Sequence, residues 1–193
     1  MTKLRGPRVV LRSWRADDVD PFAALNADPA VTEFLAGPRS REASEQMIAR
    51  MQSAIDERGW GFWAVDLGGR CIGFTGITHP RFEAHFTPCV EVGWRLARDA
   101  WGRGYATEAA QLAMAHGFEA LGLPEIVAFT AVANVRSRRV MEKLGMRHRP
   151  EDDFDHPNLP GHPLQRHVLY RLQERNGNRR SRTGQTVPPR RMA

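Results

Sequence analysis

Trp101-Gly102-Arg103-Gly104-Tyr105-Ala106 is the stretch on which the reading of this chain turns. Just before it, V-E-V-G-W-R-L (residues 90–96) reads as a short strand. Just after it, residues 107–121 read as a helix with almost no interruption. A strand that ends in a glycine-rich turn and opens a helix gathers backbone N–H groups and a helix N-terminus at one point. Such a point can hold an anion such as a pyrophosphate. Ordinary tight turns also use glycines, so the spacing alone leaves both readings open. Two common phosphate-binding patterns are excluded. The dinucleotide fingerprint needs a third glycine, absent here, and the phosphate loop of nucleotide hydrolases needs a Lys-Ser/Thr pair where Tyr105-Ala106-Thr107 stands.

The longer wording G-R-G-Y-A-T-E-A (residues 102–109), followed at a fixed gap by N-V-R-S-R-R-V-M-E-K-L-G-M (residues 134–146), resembles the acetyl-coenzyme A site of the GCN5-related N-acetyltransferases. The resemblance is closest to the branch that acetylates ribosomal-protein N-termini, and it covers residues 8–172. It implies a single acyl-CoA N-acyltransferase domain of α/β (α+β) class. The expected sheet is strongly twisted, mixed and mostly antiparallel, with six or seven strands and helices on both faces. In this family a Q/R-x-x-G-x-G/A turn cradles the coenzyme pyrophosphate; it falls here on Trp101, Gly102, Arg103, Gly104, Tyr105 and Ala106. Trp101 replaces the usual Gln or Arg, which affects a flanking contact rather than a cradle made of backbone N–H groups. Further coenzyme contacts are implied at Gly93, Trp94 and Leu96 on the strand, at Thr107, and at Asn134 and Ser137. The family also has a bulge in this strand that splays it from the next.

Candidate catalytic residues are Glu91, Ser137 and Asn134. Glu91 lies between Val90 and Val92, in a strand expected to be covered on both faces, where a carboxylate is scarce. Partial burial would raise its pKa toward that of a base for an ammonium group. The resemblance places a Glu at this position beside the acceptor; the alternative is a structural carboxylate accepting backbone or arginine hydrogen bonds. Ser137 would face the coenzyme sulfur and protonate the departing thiolate. The wider family uses a Tyr further along this helix, but Met141 and Leu144 hold the inward positions and no Tyr is available. The alternatives are a helix cap for Asn134 and a local back-bond for Ser137. Direct transfer also suits a chain whose two cysteines, Cys71 and Cys89, have no paired histidine.

At 193 residues the chain suits one domain, read as residues 1–172 with a basic, disordered tail at 173–193. The net charge of +6 is mostly that tail, which carries +5 and leaves 22 basic and 21 acidic side chains before it. The domain therefore gives no nucleic-acid signal, and only the tail could make weak contacts with RNA. No apolar run nears the roughly 18 residues of a membrane span. The opening M-T-K-L-R-G-P-R lacks the apolar segment of an export signal, so a cytoplasmic location is expected. Acetyl-CoA as co-substrate, an amine acceptor and no metal are the expected partners, with a homodimer left open. The rival function is a non-catalytic acyl-CoA binder whose Arg-rich tail contacts RNA or ribosome.

Along the chain, residues 9–11 read as a first strand, and Asp17 and Asp18 as a cap for a helix burying Phe22 and Leu25. Ser40 caps a second helix, burying Met47, Ile48, Met51 and Ile55 and ending at Gly59. Residues 61–67 and 71–78 flank a hairpin turn at Gly68-Gly69. Trp60 and Trp63 either pack there or wall the acceptor groove. Residues 125–132 form the next strand, 135–144 a helix, and 167–172 the last strand. Between them, Glu151, Asp152, Asp153 and Asp155 either attract a cationic amine or are solvated loop. His148, His156, His162 and His167 fit no zinc spacing.

Overall fold

A computed structural model describes residues 3–35 and 37–174. The chain lays down β1 (Leu4–Arg5), β2 (Val10–Arg12), α1 (Val19–Ala27), α2 (Pro29–Thr32), α3 (Arg41–Arg58), β3 (Phe62–Leu67), β4 (Arg70–Thr78) and β5 (Glu91–Leu96). It continues through α4 (Tyr105–Ala115), β6 (Glu125–Ala131), α5 (Val135–Lys143), β7 (Arg147–His148), β8 (Phe154–Asp155) and β9 (Arg166–Gln173). One mixed sheet runs β1-β2-β3-β4-β5-β6-β9-β7, with β8 pairing β9. It holds nine strands among the described residues, not six or seven. The additions are β1, β7 and β8, two residues each, too short to show any periodicity in sequence. Every pairing is antiparallel except β5 with β6.

Helices cover both faces. On one, Phe22 of α1 meets Phe74 of β4 edge-on at 6.1 Å, and α3 packs on α1 and β3. On the other, α4 lays Ala109, Ala110 and Ala113, all fully buried, against β4 and β5. Alanine side chains bring helix and sheet close at little entropic cost. After Ala115 the helix widens into a π-turn over His116–Ala120. There Gly117 passes so near β4 and β6 that a Cβ would lie 3.2 Å from Ile77 Cδ1 and 2.8 Å from Ile126 Cδ1. Each fully buried large apolar side chain of this core contributes about 1.5–3 kcal/mol. Trp63 is one of them, fully buried against His116, so it packs rather than walls a groove.

Several expectations need correction. Asp18 does not cap α1: its carboxylate accepts from Arg15 N–H and forms a two-point pair with Arg12 at 2.6 and 2.9 Å. Arg12 also reaches Asp66 at 2.7 Å, giving a buried three-membered ion cluster under β2 and β3. β5 carries no bulge in its ladder with β4, which is unbroken from Gly73↔Leu96 to Thr78↔Glu91; the irregularity lies between β3 and β4 at Val65/Asp66. Cys89, which like Cys71 reads in the sequence as lying inside a strand, sits in the loop before β5, half-buried. The last strand runs through Gln173, and Glu174 N–H bonds Pro124 O at 2.9 Å. The expectation for the rest of the tail, residues 175–193, lies outside the described residues.

Candidate active site

Gly104 is the N-cap of α4, with φ 82°, a left-handed conformation that a side chain disfavours. Gly102 has φ 74°. Just after them come the first-turn N–H groups of Tyr105, Ala106 and Thr107, which have no intrahelical carbonyl partner. A brace that no local motif announced holds the turn. Glu108 Oε1 accepts from Arg8 N–H at 2.7 Å and Val9 N–H at 3.0 Å, while Oε2 pairs with Arg8 Nε at 2.7 Å. The Arg8 guanidinium then donates to Arg103 O at 2.9 Å and lies over the Tyr105 ring. These donors hold the Glu108 carboxyl below the usual range against the opposing effect of burial.

The sheet opens beside this turn. β5 and β6 share one register pair, Glu91↔Val127, fixed by Val127 N–H to Val90 O at 2.9 Å. Beyond it no further register pair joins the two strands. A cavity of about 380 Å³ lies at the C-terminal end of β5, between the glycine turn and the start of α5. Of the coenzyme contacts expected from sequence, Trp94, Leu96, Trp101, Gly102, Gly104, Tyr105, Ala106, Thr107, Asn134 and Ser137 line it. Arg103 and Gly93 do not. Arg103 is exposed, and its carbonyl is taken by Arg8. At Gly93 the space a Cβ would need is filled by the Phe62 ring, 3.1 Å away. That glycine admits an aromatic side chain from β3 rather than a close backbone approach by a ligand.

Sequence reading missed the cavity's other walls, Ala30, Val31, Phe34 and Leu35 at and after α2, and its cations, Arg95, Arg136, Arg139 and Lys143. No acidic side chain lines it among the described residues. Arg136 straps the site. It pairs with Glu33 at 2.6 Å and places its guanidinium 4.6 Å from the centre of the Trp101 ring, whose indole N–H donates to Leu96 O. Trp101 thus anchors the strand end and carries the strap.

Asn134 is the cap of α5. Its Oδ1 accepts from Ser137 N–H at 3.1 Å and its amide donates to Thr130 Oγ1 at 3.0 Å, tying β6 to the helix. That bond turns the first turn of α5 toward the cavity and brings half-buried Ser137 into its wall.

Glu91 lies elsewhere. It is three residues ahead of Trp94, about 10 Å along the strand at a normal rise, and does not line the cavity. Its cross-strand neighbour is Thr78, and its other neighbour, Val127, belongs to a second apolar cluster with Phe86, Phe154 and Leu169. The side chain keeps some exposed surface but is so closely surrounded that burial pushes its carboxyl up to about 7. No hydrogen bond or ion pair reaches that carboxyl among the described residues. Alternation along β5 puts Glu91, Gly93 and Arg95 on the face of Phe62 and Phe74, and Trp94 and Leu96 on the α4 face.

Three of the four acids of the loop, all but exposed Glu151, are paired within the fold. Asp152 pairs with Arg171, Asp153 with His148 at 2.7 Å and Asp155 with Arg166. His156 and His167 meet at a tilt in the aromatic cluster, ring centres 5.0 Å apart, and burial lowers both pKa values. Burial also pushes the Cys71 and Cys89 thiols up to about 11, so neither is a ready nucleophile. Among the described residues no helix is long and apolar enough to cross a membrane.

Comparison with known proteins agrees with this geometry. The chain is 31% identical over 150 residues to YkkB, an uncharacterised Bacillus subtilis protein, covering 75% of this chain and 85% of that one. It is also 31% identical over 131 residues to the FsC-acetyl coenzyme A-N(2)-transacetylase of Aspergillus fumigatus, covering 64% of this chain and 56% of that enzyme. Among solved structures, an acetyltransferase from Agrobacterium tumefaciens strain C58 superposes with TM-score 0.73 at 29% identity, over 90% of this chain and 95% of that one. RimL, a ribosomal L7/L12 α-N-protein acetyltransferase in complex with coenzyme A, shares the fold at 14% identity and TM-score 0.72, over 89% of this chain and 98% of that one. The acetyltransferase (GNAT) domain family matches residues 8–147. That span takes in the brace at Arg8, the glycine turn, the open strand pair and all of α5, and by it the chain belongs to the GNAT family, as an acetyl-CoA-dependent N-acetyltransferase.

Proposed function

We propose that the protein moves the acetyl group of acetyl-coenzyme A directly to a primary amine, a peptide N-terminus or a small-molecule amine, as in the branch that acetylates ribosomal-protein N-termini. The opening between β5 and β6 beside the α4 N-terminus carries this reading. A cavity of about 380 Å³ suits a pantetheine arm and pyrophosphate with the adenosine outside, and the α5 cations in its wall suit phosphates. The turn from Gly102 to Thr107 would hold the pyrophosphate through backbone N–H groups and the α4 dipole. Arg136, Arg139 and Lys143 supply countercharge. Asn134 and Ser137 sit where the opened strands meet α5.

The co-substrate brings an activated acetyl group as a thioester; the chain supplies proton transfer and orientation. Glu91, at about 7, is partly ionised at neutral pH, and directly or through a water it takes a proton from the ammonium group. N–H groups of β5 on the opened side hold the carbonyl oxygen as it gains charge. The Ser137 hydroxyl donates to the sulfur as the thiol leaves. Because Glu91 lies beyond the cavity wall, the acceptor approaches from the Phe62 face of the sheet while the coenzyme enters from the α4 side.

Thiol release from acetyl-CoA, followed against a panel of peptides and small amines, tests the proposal. Amine-dependent turnover with stoichiometric N-acetyl product is expected. Saturable acetyl-CoA binding without thiol release for any amine would favour a binding protein.

A further inference from the structure

Arg95 is a charged side chain for which the reaction above has no use. It follows Trp94 on β5, with its guanidinium 5.3 Å from the centre of the Phe74 ring and one N–H donating to Asn26 Oδ1 at 2.7 Å. Asn26 is itself fully buried and held by its amide on Ser44 Oγ, with its carbonyl bonded to Arg39 N–H. The guanidinium is therefore fixed by a neutral acceptor wired into α1 and α3. A guanidinium has five N–H donors, of which one is taken by Asn26, and the Arg95 residue lines the cavity. No carboxylate pairs with it among the described residues. Burial, and after it the charge of Arg39, lowers its pKa to about 10, leaving it cationic at neutral pH. An enclosed cation without a counter-ion is costly, and such a cost is tolerated where the counter-ion arrives with a ligand.

We propose that Arg95 binds an anionic group, carboxylate or phosphate, carried by the acceptor and set well apart from its reacting amine. The proposal rests on the amine lying at Glu91. Two observations assign the anion to the acceptor rather than the coenzyme. Arg95 alternates onto the Glu91 face of β5, drawn toward α1 by Asn26, whereas the glycine turn lies at the start of α4 on the opposite face. The coenzyme phosphates already have the turn and the cations of α5. The spacing follows from the strand: four residues separate Glu91 from Arg95, about 13 Å along β5. The Phe62 ring over Gly93 fills the face between them. An α-amino acid, with its carboxylate two bonds from its amine, cannot span that ring. A peptide N-terminus with an acidic side chain at its second residue, or a longer amine bearing an acid, can.

The test uses the full chain and three tripeptide amides, Ala-Gln-Ala, Ala-Glu-Ala and Ala-phosphoserine-Ala. For the parent, kcat/KM on at least one acidic peptide is expected to exceed that on the Gln peptide by roughly tenfold or more at low salt. Arg95→Met should bring that ratio near one, and Arg95→Lys, which keeps the charge without the planar fork, should retain part of it. Which of the Glu and phosphoserine peptides leads identifies the anion. A parent ratio near one overturns the proposal, even if Arg95→Met fails to fold. So does an Arg95→Met variant whose loss of acetyl-CoA affinity equals its loss on acidic peptides, because Arg95 would then serve the coenzyme. Should no peptide be acetylated, calorimetric titration of the same peptides in the presence of coenzyme A decides separately. Equal binding of acidic and neutral peptides overturns the Arg95 assignment, while absent turnover overturns the direct-transfer reading.

Discussion

Replacing Glu91 with glutamine keeps the shape of the side chain and removes its ability to take a proton. Burial holds this carboxyl at about 7 against 4.5 for the exposed group. The folded chain therefore keeps the proton to higher pH than the unfolded chain does. The contribution of this residue to stability is greatest below about pH 4.5, falls as pH rises through 7 and levels off above it. The separation of about 2.5 pH units corresponds to roughly 3 kcal/mol as an upper bound. Glu91→Gln has no such loss, so urea unfolding should show it gaining stability relative to the parent between pH 5 and pH 8, by up to about 3 kcal/mol. Activity should move the other way. A general base is worth roughly 10²–10⁴ in rate, and kcat/KM of the parent should fall on the acid side of pH 7. In Glu91→Gln the rate should drop by that order with acetyl-CoA affinity nearly intact, and the acidic limb should flatten. Retention of the parent's acidic limb, with no relative gain in stability from pH 5 to 8, would refute both the burial argument and the role of Glu91 as base.

Ser137→Ala should cost about tenfold in the chemical step, since water can replace a hydroxyl donating to a good leaving group; the loss should shrink with an acyl donor of more acidic thiol in single-turnover assays. Gly104→Val must place a β-branched side chain at φ 82°, so calorimetry should show acetyl-CoA affinity falling far more than thermal stability, and unchanged affinity in a folded variant would rule out the turn as the cradle. Arg12→Met strands the carboxylates of Asp18 and Asp66 in the interior and should destabilise the fold by about 3–5 kcal/mol in urea unfolding.

Elements whose signals are local were legible in the sequence. Ser40 caps α3 by accepting from Ala43 N–H, Asn134 caps α5, and Gly68-Gly69 closes the β3–β4 hairpin, each as its residue type requires. The strand–turn–helix around Gly102 and Gly104 was legible for the same reason: the glycines and the apolar periods on either side lie in one continuous stretch, residues 90–121. What escaped depends on contacts across the fold. Arg8 and Glu108 are a hundred positions apart, and Glu33 and Arg136 a hundred and three, so neither pair leaves a pattern in the string. Asp18 reads as a helix cap until Arg12 and Asp66 are brought beside it by the pairing of β2 with β3. Gly93 reads as room for a ligand until the Phe62 ring is seen in that room. Arg95 gave no signal, because a lone arginine in a strand differs from a surface one only in what surrounds it.

Gly117 bears on a different question, how the active-site gap keeps its gauge. With a single register pair joining β5 to β6, backbone hydrogen bonds do little to fix the distance between the two halves of the sheet. A Cβ at Gly117 would press on Ile77 of one half and on Ile126 of the other, so the π-turn after α4 lies close against both sides of the seam from behind. The width of the slot between β5 and β6 is thereby tied to the bulk of one residue that lines no part of the cavity. In this chain a larger side chain at that one position is expected to widen the slot while leaving every cavity-lining residue as it was.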